Sequence, residues 1–318
     1  MINSRIIGVG HYLPKKVLTN DDLSKIVDTT NEWIITRTGI ERRYIAKENE
    51  LTSDLAYAAS IKALKNADIK SSSLDFIIVA TTTPDETFPS TASKIQYKLD
   101  ASFSPAFDVQ AVCSGFLYSM QLADSLIKSG KAKRILVVGA ETLSRIVDWD
   151  DRRTCVLFGD GAGAVILGAD KIKEGILASN LYSDGSFHDS LFADGGPSVN
   201  QKVGKIRMKG TDIFKQAVNK LSDATLKSLT DVNLKIEDID WLIPHQANLR
   251  IINGTAKKLK VKQSKVISTV SEHANTSAAS IPLALSTSLE IGKVKEDDIV
   301  AMCAIGGGLT WGSCILKI

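Results

Sequence analysis

Three residues in the sequence combine a nucleophile with two side chains that can stabilise developing charge. Cys113 lies in the segment FDVQAVCSGFLYSMQLADSLIKSG, where a strand-like apolar run meets a helical pattern. His245 follows the apolar run WLIP, and Asn275 lies in ANTSAAS. A thiolate attacks electrophilic carbon, and an imidazole and a carboxamide can donate hydrogen bonds to an oxygen that gains charge. These residue types indicate covalent catalysis by a cysteine.

The residues after Cys113 predict a buried helix that begins at the cysteine itself. Its apolar positions follow roughly helical spacing at Phe116, Met120, Leu122, Ala123, Leu126 and Ile127. The free N–H groups and the positive dipole end of that helix would point at the sulfur. Such a position lowers the pKa of the thiol and favours the thiolate. The alternative is a buried structural cysteine, which is common.

Strand-like and helical segments occur twice in the same order along the chain. The first set comprises LDFIIVATTTP, STASKIQYKLD, PAFDVQAVCSGF and AKRILVVGAETLS; the second comprises IDWLIPHQAN, LRIINGTAKKLK, KVISTVSEHANTSAASIPLALSTSLE and DDIVAMCAIGGGLT. Their offset of about 160 residues predicts a duplicated α/β unit, with residues 1–170 in one half and 171–318 in the other. The alternative is the ordinary alternation of any α/β protein.

The duplication predicts that Cys113, His245 and Asn275 leave strands at the same sheet end, where α/β proteins form their sites. Each has a structural alternative, which for Asn275 is a helix cap. The glycines from Gly306 in GGGLTWGS permit close backbone approach and an amide that faces an oxyanion, or simply form a tight turn. FGDGAGAVIL lacks the dinucleotide-binding pattern and indicates a close-packing segment before a strand.

Composition narrows the function classes. Hydrophobic content of 44% and charged content of 24% are ordinary for a globular protein, and the net charge of +3 argues against bulk nucleic-acid binding. No apolar run approaches the roughly 18 residues of a membrane span. The start of the chain does not have a signal-peptide layout. Four scattered cysteines without metal-ligand spacing favour free thiols, no metal and a cytoplasmic location.

Six motifs in order resemble the β-ketoacyl-acyl-carrier-protein synthase III family of thiolase-like condensing enzymes. They are NEWIITRTGI from Asn31, AVCSGF around Cys113, FGDGAGA from Phe158, PHQANLRI from Pro244, NTSAAS from Asn275 and GGGLTWG from Gly306. The resemblance implies a five-layered αβαβα fold with two halves related by pseudo-twofold symmetry, and a homodimer. It also implies the first condensation of type II fatty-acid synthesis.

The resemblance also implies roles for individual residues. Cys113 matches the acylated nucleophile, His245 and Asn275 the pair that assists malonyl decarboxylation, and the amides of Cys113 and Gly307 the oxyanion hole. The coenzyme A positions are Trp33 and Arg152 beside the adenine, Arg37 at a phosphate, and Thr211 where some members have asparagine. Phe88 matches a residue that the dimer partner inserts to limit the acyl pocket.

A carrier-protein contact region is implied at Gln246, Ala247, Asn248, Leu249 and Arg250. Arg250, Lys257 and Lys258 would share one face of the following helix and attract an acidic partner; a solvated face is the alternative. The expected reaction follows ping-pong order. A short acyl-coenzyme A, which we expect to be acetyl-coenzyme A, acylates Cys113. Malonyl-acyl carrier protein then condenses with it. Coenzyme A thioester is a substrate, and no metal or redox cofactor is expected.

The sequence departs from the family pattern at a few positions near the candidate site. Ala274 replaces a glycine, and Ile305 stands where some members have phenylalanine.

A cysteine hydrolase has the same Cys, His, Asn order, but its C-G-S-C-W type signature is missing. A thiolase needs a second cysteine at the position of Ala304, whereas Cys303 would face the opposite side of the strand. A non-catalytic coenzyme A-binding scaffold would leave Cys113 unexplained.

Overall fold

The computed structural model describes residues 2–318, except the side chains of residues 211 and 212. The strands are β1 Asn3–Tyr12, β2 Lys16–Thr19, β3 Arg42–Ile45, β4 Phe76–Ala80, β5 Ala106–Val109, β6 Arg134–Thr142, β7 Asp160–Asp170, β8 Ile176–Ser183, β9 Leu191–Ala193, β10 Ile206–Met208, β11 Trp241–Pro244, β12 Ile299–Gly306 and β13 Thr310–Lys317. The helices are α1 Asn20–Leu23, α2 Asn31–Thr38, α3 Thr52–Ala67, α4 Thr91–Lys98, α5 Gly115–Lys128, α6 Gly210–Asp231, α7 Leu249–Leu259, α8 Val270–His273 and α9 Ser280–Glu290. Within the described part of the chain, no helix has the length and apolarity that a bilayer crossing requires.

The first sheet contains five strands in the order β1-β7-β6-β4-β5. Its centre is parallel, because β4 pairs in parallel with both β5 and β6. The strands β7 and β1 extend it in antiparallel fashion. The apolar run FIIVA of β4 and the run RILVVGAET of β6 are almost entirely buried, as expected of strands that are covered on both faces.

The second sheet repeats this pattern with four strands in the order β11-β12-β13-β8. The parallel pair β11 and β12 corresponds to β4 and β6, while the antiparallel β13 and β8 correspond to β7 and β1. The counterpart of β5 is reduced to one parallel bridge between Leu242 and Val266. All strands of the first sheet end by Asp170, and the second sheet starts at Ile176.

The helices divide into two outer layers and one inner layer. The helices α3 and α4 contact the first sheet, and α6 and α7 contact the second. The helices α5 and α9 contact strands of both sheets, and their side chains Met120 and Leu285 share a core with Val137 and Met302. This order confirms the predicted α/β architecture and is consistent with the five-layered arrangement that the resemblance implies.

Glycines allow the inner helix α9 to lie directly on the first sheet. A Cβ atom on Gly139 would overlap the carbonyl oxygen of Ala278, and one on Gly163 would lie 2.5 Å from the nitrogen of Leu283. Gly163 belongs to FGDGAGAVIL, so the predicted close packing of that segment is confirmed. The segment forms most of strand β7 rather than preceding it.

Candidate active site

Cys113 lies in a 3-10 turn, Val112–Ser114, between β5 and α5. The prediction that the helix begins at the cysteine is therefore wrong by two residues, because α5 begins at Gly115. Val112 has a φ of 49°. A β-branched residue avoids this region, at a typical cost of about 1–3 kcal/mol. Cys113, the second residue of this strained turn, lines a cavity.

The structure brings Cys113, His245 and Asn275 together on the wall of one cavity of about 750 Å³. The mouth of this cavity is lined by Trp33 and Arg250, among others. Its size is typical of a site for a small-molecule or cofactor-sized ligand. Three residues that are far apart in the sequence therefore share one space, and that space opens to solvent through aromatic and cationic side chains.

His245 is held on two sides as it leaves β11. Its N–H donates to the carbonyl of Cys303 at 2.7 Å, and its Nδ1 lies 2.7 Å from Ser280 Oγ. The N–H of Gln246 donates to the same oxygen at 3.3 Å. We assign the hydroxyl proton of Ser280 to the bond with Nδ1, which places the imidazole proton on Nε2. Burial lowers the pKa of His245 to about 3, so the ring is neutral.

Asn275 is fixed through its backbone and its side-chain oxygen. Its N–H donates to the carbonyl of Leu157 and its carbonyl accepts from the N–H of Gly159, at 2.9 and 3.0 Å. Its Oδ1 accepts from the N–H of Ser277 at 2.9 Å, so the carboxamide nitrogen is left to face a ligand. Ala274 has φ 56° and ψ −162°, a conformation that glycine adopts far more easily. The departure at Ala274 therefore adds backbone strain next to the asparagine.

The Cys113 thiol is buried, with 5% of the residue's surface exposed. Burial raises the pKa of Cys113 to about 12; the Ser277 hydroxyl and the cysteine's own amide oppose this rise, and the charge of Glu141 adds to it. The prediction of a lowered thiol pKa is wrong for the free protein, because burial disfavours the thiolate more than nearby hydrogen-bond donors favour it. The thiol is neutral before substrate binds and must lose its proton during attack.

The glycine loop after β12 lies against the nucleophile. A Cβ atom on Gly306 would be 2.6 Å from the amide nitrogen of Cys113. Gly307 follows directly and is buried, so it belongs to a segment that neighbours the Cys113 turn. The Cys303 thiol does not line the cavity; burial raises its pKa to about 12, and the Thr225 hydroxyl of α6 opposes this rise. Ile305 lines the cavity.

Arginines surround the indole of Trp33 at the mouth. The Cζ atoms of Arg37 and Arg152 lie 4.8 and 5.3 Å from the ring centroid. Arg152 also donates to the Asp28 carbonyl at 2.8 Å and to its carboxylate at 3.2 Å. Arg153, which the sequence analysis did not select, lines the cavity instead of Arg152. The prediction for Thr211 falls on a side chain outside the described residues.

The predicted carrier-protein contact at Gln246 is wrong, because this residue is only 1% exposed. Its amide nitrogen donates to the carbonyl of Pro244 at 2.6 Å, and its Oε1 accepts from the N–H of Thr269 at 2.7 Å. Asn248 caps α7 by accepting from the N–H of Ile251 at 3.0 Å. Within the segment Gln246 to Arg250, only Arg250 is exposed; Ala247, Asn248 and Leu249 are partly buried.

The cations of α7 are exposed but differ in their partners. The guanidinium of Arg250 lies 5.7 Å from the ring of Phe214. Lys258 donates to Asn219 at 2.8 Å and forms an ion pair with Asp223 at 3.3 Å, so part of its charge is already neutralised. Lys257 is exposed on the same helix. Arg250 and Lys257 are therefore the cations of this face that are best placed to attract an acidic partner.

Phe88 does not line the cavity of its own chain. It is 82% exposed, and two further aromatic residues, Tyr97 of α4 and Phe103 after that helix, are also strongly exposed. Large aromatic side chains in water are unusual for an isolated monomer and indicate a contact surface. This placement is compatible with a residue that acts on a second chain.

Two polar residues near the cysteine were missed as functional candidates. Glu141, at the end of β6, is completely buried and accepts hydrogen bonds from three consecutive threonines. Ser277 begins a 3-10 turn that contacts both the Cys113 turn and strand β6, and its hydroxyl lowers the pKa of both Cys113 and Glu141. A glutamate at the end of an otherwise apolar strand, AKRILVVGAETLS, was the available signal.

Comparisons with known proteins agree on one family. Residues 107–185 match the family described as 3-Oxoacyl-[acyl-carrier-protein (ACP)] synthase III, and residues 229–318 match its C-terminal counterpart. A β-ketoacyl-[acyl-carrier-protein] synthase III of Ehrlichia canis is 53% identical over the whole of both chains. The crystal structure of the Aquifex aeolicus 3-oxoacyl-[acyl-carrier-protein] synthase III is 51% identical with a TM-score of 0.96, covering 99% of this chain and 100% of that one. The Pseudomonas aeruginosa enzyme is 38% identical with a TM-score of 0.94, covering 99% and 98%.

Proposed function

This chain belongs to the β-ketoacyl-acyl-carrier-protein synthase III family, and from that premise we propose how its own residues carry out the reaction. The protein is an acyltransferase that condenses an acyl-coenzyme A with malonyl-acyl carrier protein and initiates fatty-acid synthesis. The observation that supports the assignment of residues is the meeting of Cys113, His245 and Asn275 in one cavity. Acetyl-coenzyme A is the proposed starter.

Cys113 is the proposed nucleophile of the first half-reaction. Its sulfur attacks the thioester carbonyl of the acyl-coenzyme A, the bond to the coenzyme A sulfur breaks, and an acyl-cysteine remains. The amides of Cys113 and Gly307 are the proposed donors to the tetrahedral oxyanion, supported by the contact between Gly306 and the Cys113 amide. Trp33, Arg37 and Arg152 are the proposed contacts of coenzyme A, and Arg153 joins them because it lines the cavity.

His245 and Asn275 are the proposed donors of the second half-reaction. Malonyl-acyl carrier protein loses carbon dioxide, and the electrons of the broken bond form an enolate. The Nε2–H of a neutral His245 and the Nδ2–H of Asn275 can both donate to that oxygen, since Ser280 and Ser277 occupy the other side-chain atoms. The enolate carbon attacks the acyl-cysteine, the bond between the acyl carbon and the Cys113 sulfur breaks, and the thiolate takes up a proton from solvent to regenerate the thiol. This chemistry requires no metal or redox cofactor.

The acidic carrier protein is proposed to dock at Arg250 and Lys257, beside the cavity mouth. A homodimer is proposed in which Phe88 reaches the acyl pocket of the partner, supported by its exposure and that of Phe103. A reducing cytoplasm is the proposed location, because the four cysteines are free thiols in the structure.

The test is a two-step reaction that separates the condensing enzyme from a hydrolase. The protein is incubated with acetyl-coenzyme A and examined by intact mass; malonyl-acyl carrier protein is then added and the carrier is examined. We expect an acetyl adduct on the native protein and on Cys155→Ala, none on Cys113→Ala, and a 3-oxoacyl carrier as product. Equal labelling of Cys113→Ala would overturn the nucleophile, and release of acetate without a new carbon–carbon bond would favour a hydrolase.

A further inference from the structure

The first half-reaction needs an acceptor for the thiol proton, since Cys113 is neutral in the free protein. His245 is poorly suited to this role. Its Nδ1 is engaged by Ser280, its Nε2 carries the proton, and burial lowers its pKa to about 3. A base of that strength takes a proton from a buried thiol only at a large cost in free energy. A second polar group lies beside the sulfur.

Glu141 is built into the protein as a buried acceptor. Its carboxylate accepts from the N–H and hydroxyl of Thr82, from the Thr83 hydroxyl at 2.6 Å and more weakly from Thr81 at 3.4 Å. Two of these hydroxyls are oriented by backbone donors: Thr83 accepts from Thr142 N–H at 2.9 Å, and Thr81 accepts from Thr83 N–H at 3.1 Å. Their protons are thereby directed to the carboxylate.

Ser277 connects this carboxylate to the sulfur. The residue is 1% exposed, and the 3-10 turn that it begins contacts both the 3-10 turn of Cys113 and strand β6, which carries Glu141. Its hydroxyl lowers the pKa of both Cys113 and Glu141. Within the described residues, the hydroxyl completes a hydrogen bond of ordinary geometry with neither group. A buried hydroxyl without a settled partner is costly, and its position between a donor and an acceptor suits a proton carrier.

We propose that Ser277 and Glu141 form the proton-accepting branch of the site, a proposal that rests on the acyl transfer described above. As the sulfur bonds to the acyl carbon, its proton passes to Ser277 Oγ, and the Ser277 hydroxyl proton passes to the Glu141 carboxylate. When the bond between the acyl carbon and the coenzyme A sulfur breaks, Glu141 returns its proton to Ser277 Oγ, and the Ser277 hydroxyl proton passes to the departing thiolate. In this branch Ser277 exchanges the proton with the reacting sulfur, and Glu141 acts through Ser277.

The electrostatics of Glu141 agree with this role. Burial raises its pKa, and hydrogen bonds from Thr83, Thr82 and Ser277 oppose that rise. A carboxylate that has been made more basic than usual is a better proton acceptor. Its charge also raises the pKa of Cys113, which keeps the thiol protonated while the cavity is empty.

The experiment measures the single-turnover acetylation rate of Cys113 by quenched intact mass across the range from mildly acidic to alkaline pH. The variants are Glu141→Gln, Ser277→Ala and the control Asp160→Asn. Asp160 is also fully buried and accepts from Ser144 and Ala46. We expect both branch variants to lose roughly 100-fold at neutral pH, as general-base removal commonly does, and to approach wild type at high pH. Asp160→Asn should keep the wild-type profile.

Iodoacetamide alkylation of Cys113 provides a second readout that needs neither coenzyme A nor carrier protein. We expect Glu141→Gln and Ser277→Ala to be alkylated more slowly at neutral pH than wild type and Asp160→Asn. Faster alkylation of Glu141→Gln would mean that Glu141 acts only through its charge, and equal rates in all variants would remove the branch; either result overturns the proposal. If wild type is not acetylated, the proposed function fails, while the alkylation profiles still test the branch. Ser277→Ala retains the N–H that holds Asn275, so its loss cannot be attributed to that residue.

Discussion

The two strand-to-helix junctions of the molecule have the same backbone but different chemistry. In the first half, a 3-10 turn at Val112–Ser114 precedes α5; in the second, a 3-10 turn at Ser277–Ala279 precedes α9. The first residue of each turn has a positive φ, 49° at Val112 and 48° at Ser277. Ala278 is therefore the counterpart of Cys113, and the functional asparagine of the second half lies three residues earlier, at Asn275.

The neighbouring strands differ as well. The N–H of Asp75 donates to the carbonyl of Arg134, and the N–H of Asp240 donates to that of Ile299, which aligns the starts of β6 and β12. Counting from Arg134 and Ile299, Glu141 of β6 corresponds to Gly306 of β12. Gly306 leaves room for the Cys113 amide, while Glu141 brings a carboxylate to the Ser277 turn. The duplicated scaffold thus presents the nucleophile from one junction and the hydrogen-bond donors from the other.

Moving the thiol to the other junction is expected to have the largest effect. In the double variant Cys113→Ala/Ala278→Cys, the cysteine occupies the same turn position in the second half. We expect acetylation by acetyl-coenzyme A to fall below detection, because Cys113 lines the cavity and its amide lies against Gly306, whereas Ala278 is not among the lining residues. Intact mass measures the adduct, with Cys113→Ala as the control. Acetylation of the thiol introduced at position 278 would mean that the junctions are chemically interchangeable.

His245→Ala is expected to separate the two half-reactions. Loss of one preorganised donor to an oxyanion typically costs about 10²–10³ in rate, so condensation should fall by that factor. Acetylation of Cys113 should continue, since the proposed proton acceptor is the Ser277–Glu141 branch and not His245. Carbon dioxide release and intact mass follow the two steps separately. Unimpaired condensation would remove His245 from the mechanism.

Gly306→Ala tests the steric difference between β12 and β6. The new methyl group would lie 2.6 Å from Cys113 N and 2.9 Å from the Ala111 carbonyl, both of them backbone atoms. We expect a loss of about 1–3 kcal/mol in the free energy of unfolding, measured by chemical denaturation. Gly185→Ala is the matched control, because nothing lies within 4 Å of its added Cβ. Equal free energies of unfolding for both variants would show that the backbone around Gly306 can shift to accommodate the methyl group.

The pH dependence of stability is the smallest of the expected effects. The pKa of His245 is about 3 in the folded protein and 6.5 as the ordinary value, so the unfolded chain binds the extra proton between these pH values. Stability is therefore lost as pH falls from about 6.5 towards 3, and one such group costs ~2 kcal/mol at pH ~5. Between pH ~7 and ~5, the free energy of unfolding of His245→Gln should fall by ~2 kcal/mol less than that of wild type, measured by chemical denaturation. Identical losses would mean that the imidazole is not held neutral.

Sequence patterns predicted which residues meet but not what surrounds them. The convergence of Cys113, His245 and Asn275 followed from strand ends, since strand order alone brings these loops to one place. The Cys113 pKa and the burial of Gln246 depend on packing from distant segments, which no local pattern contains. Glu141 was missed for the same reason: the hydrogen-bond donors that hold it come from a loop about 60 residues earlier in the chain.

The glycine contacts at Gly139, Gly163 and Gly306 bring backbone against backbone on the inner side of the site. Such an interior leaves little freedom for the floor to change shape between the two half-reactions. The exchange of coenzyme A for the carrier protein must then be accommodated at the entrance, by side chains such as Arg153 and Trp33. We therefore expect the motions of the catalytic cycle in side chains at the protein surface, and not in the interior backbone.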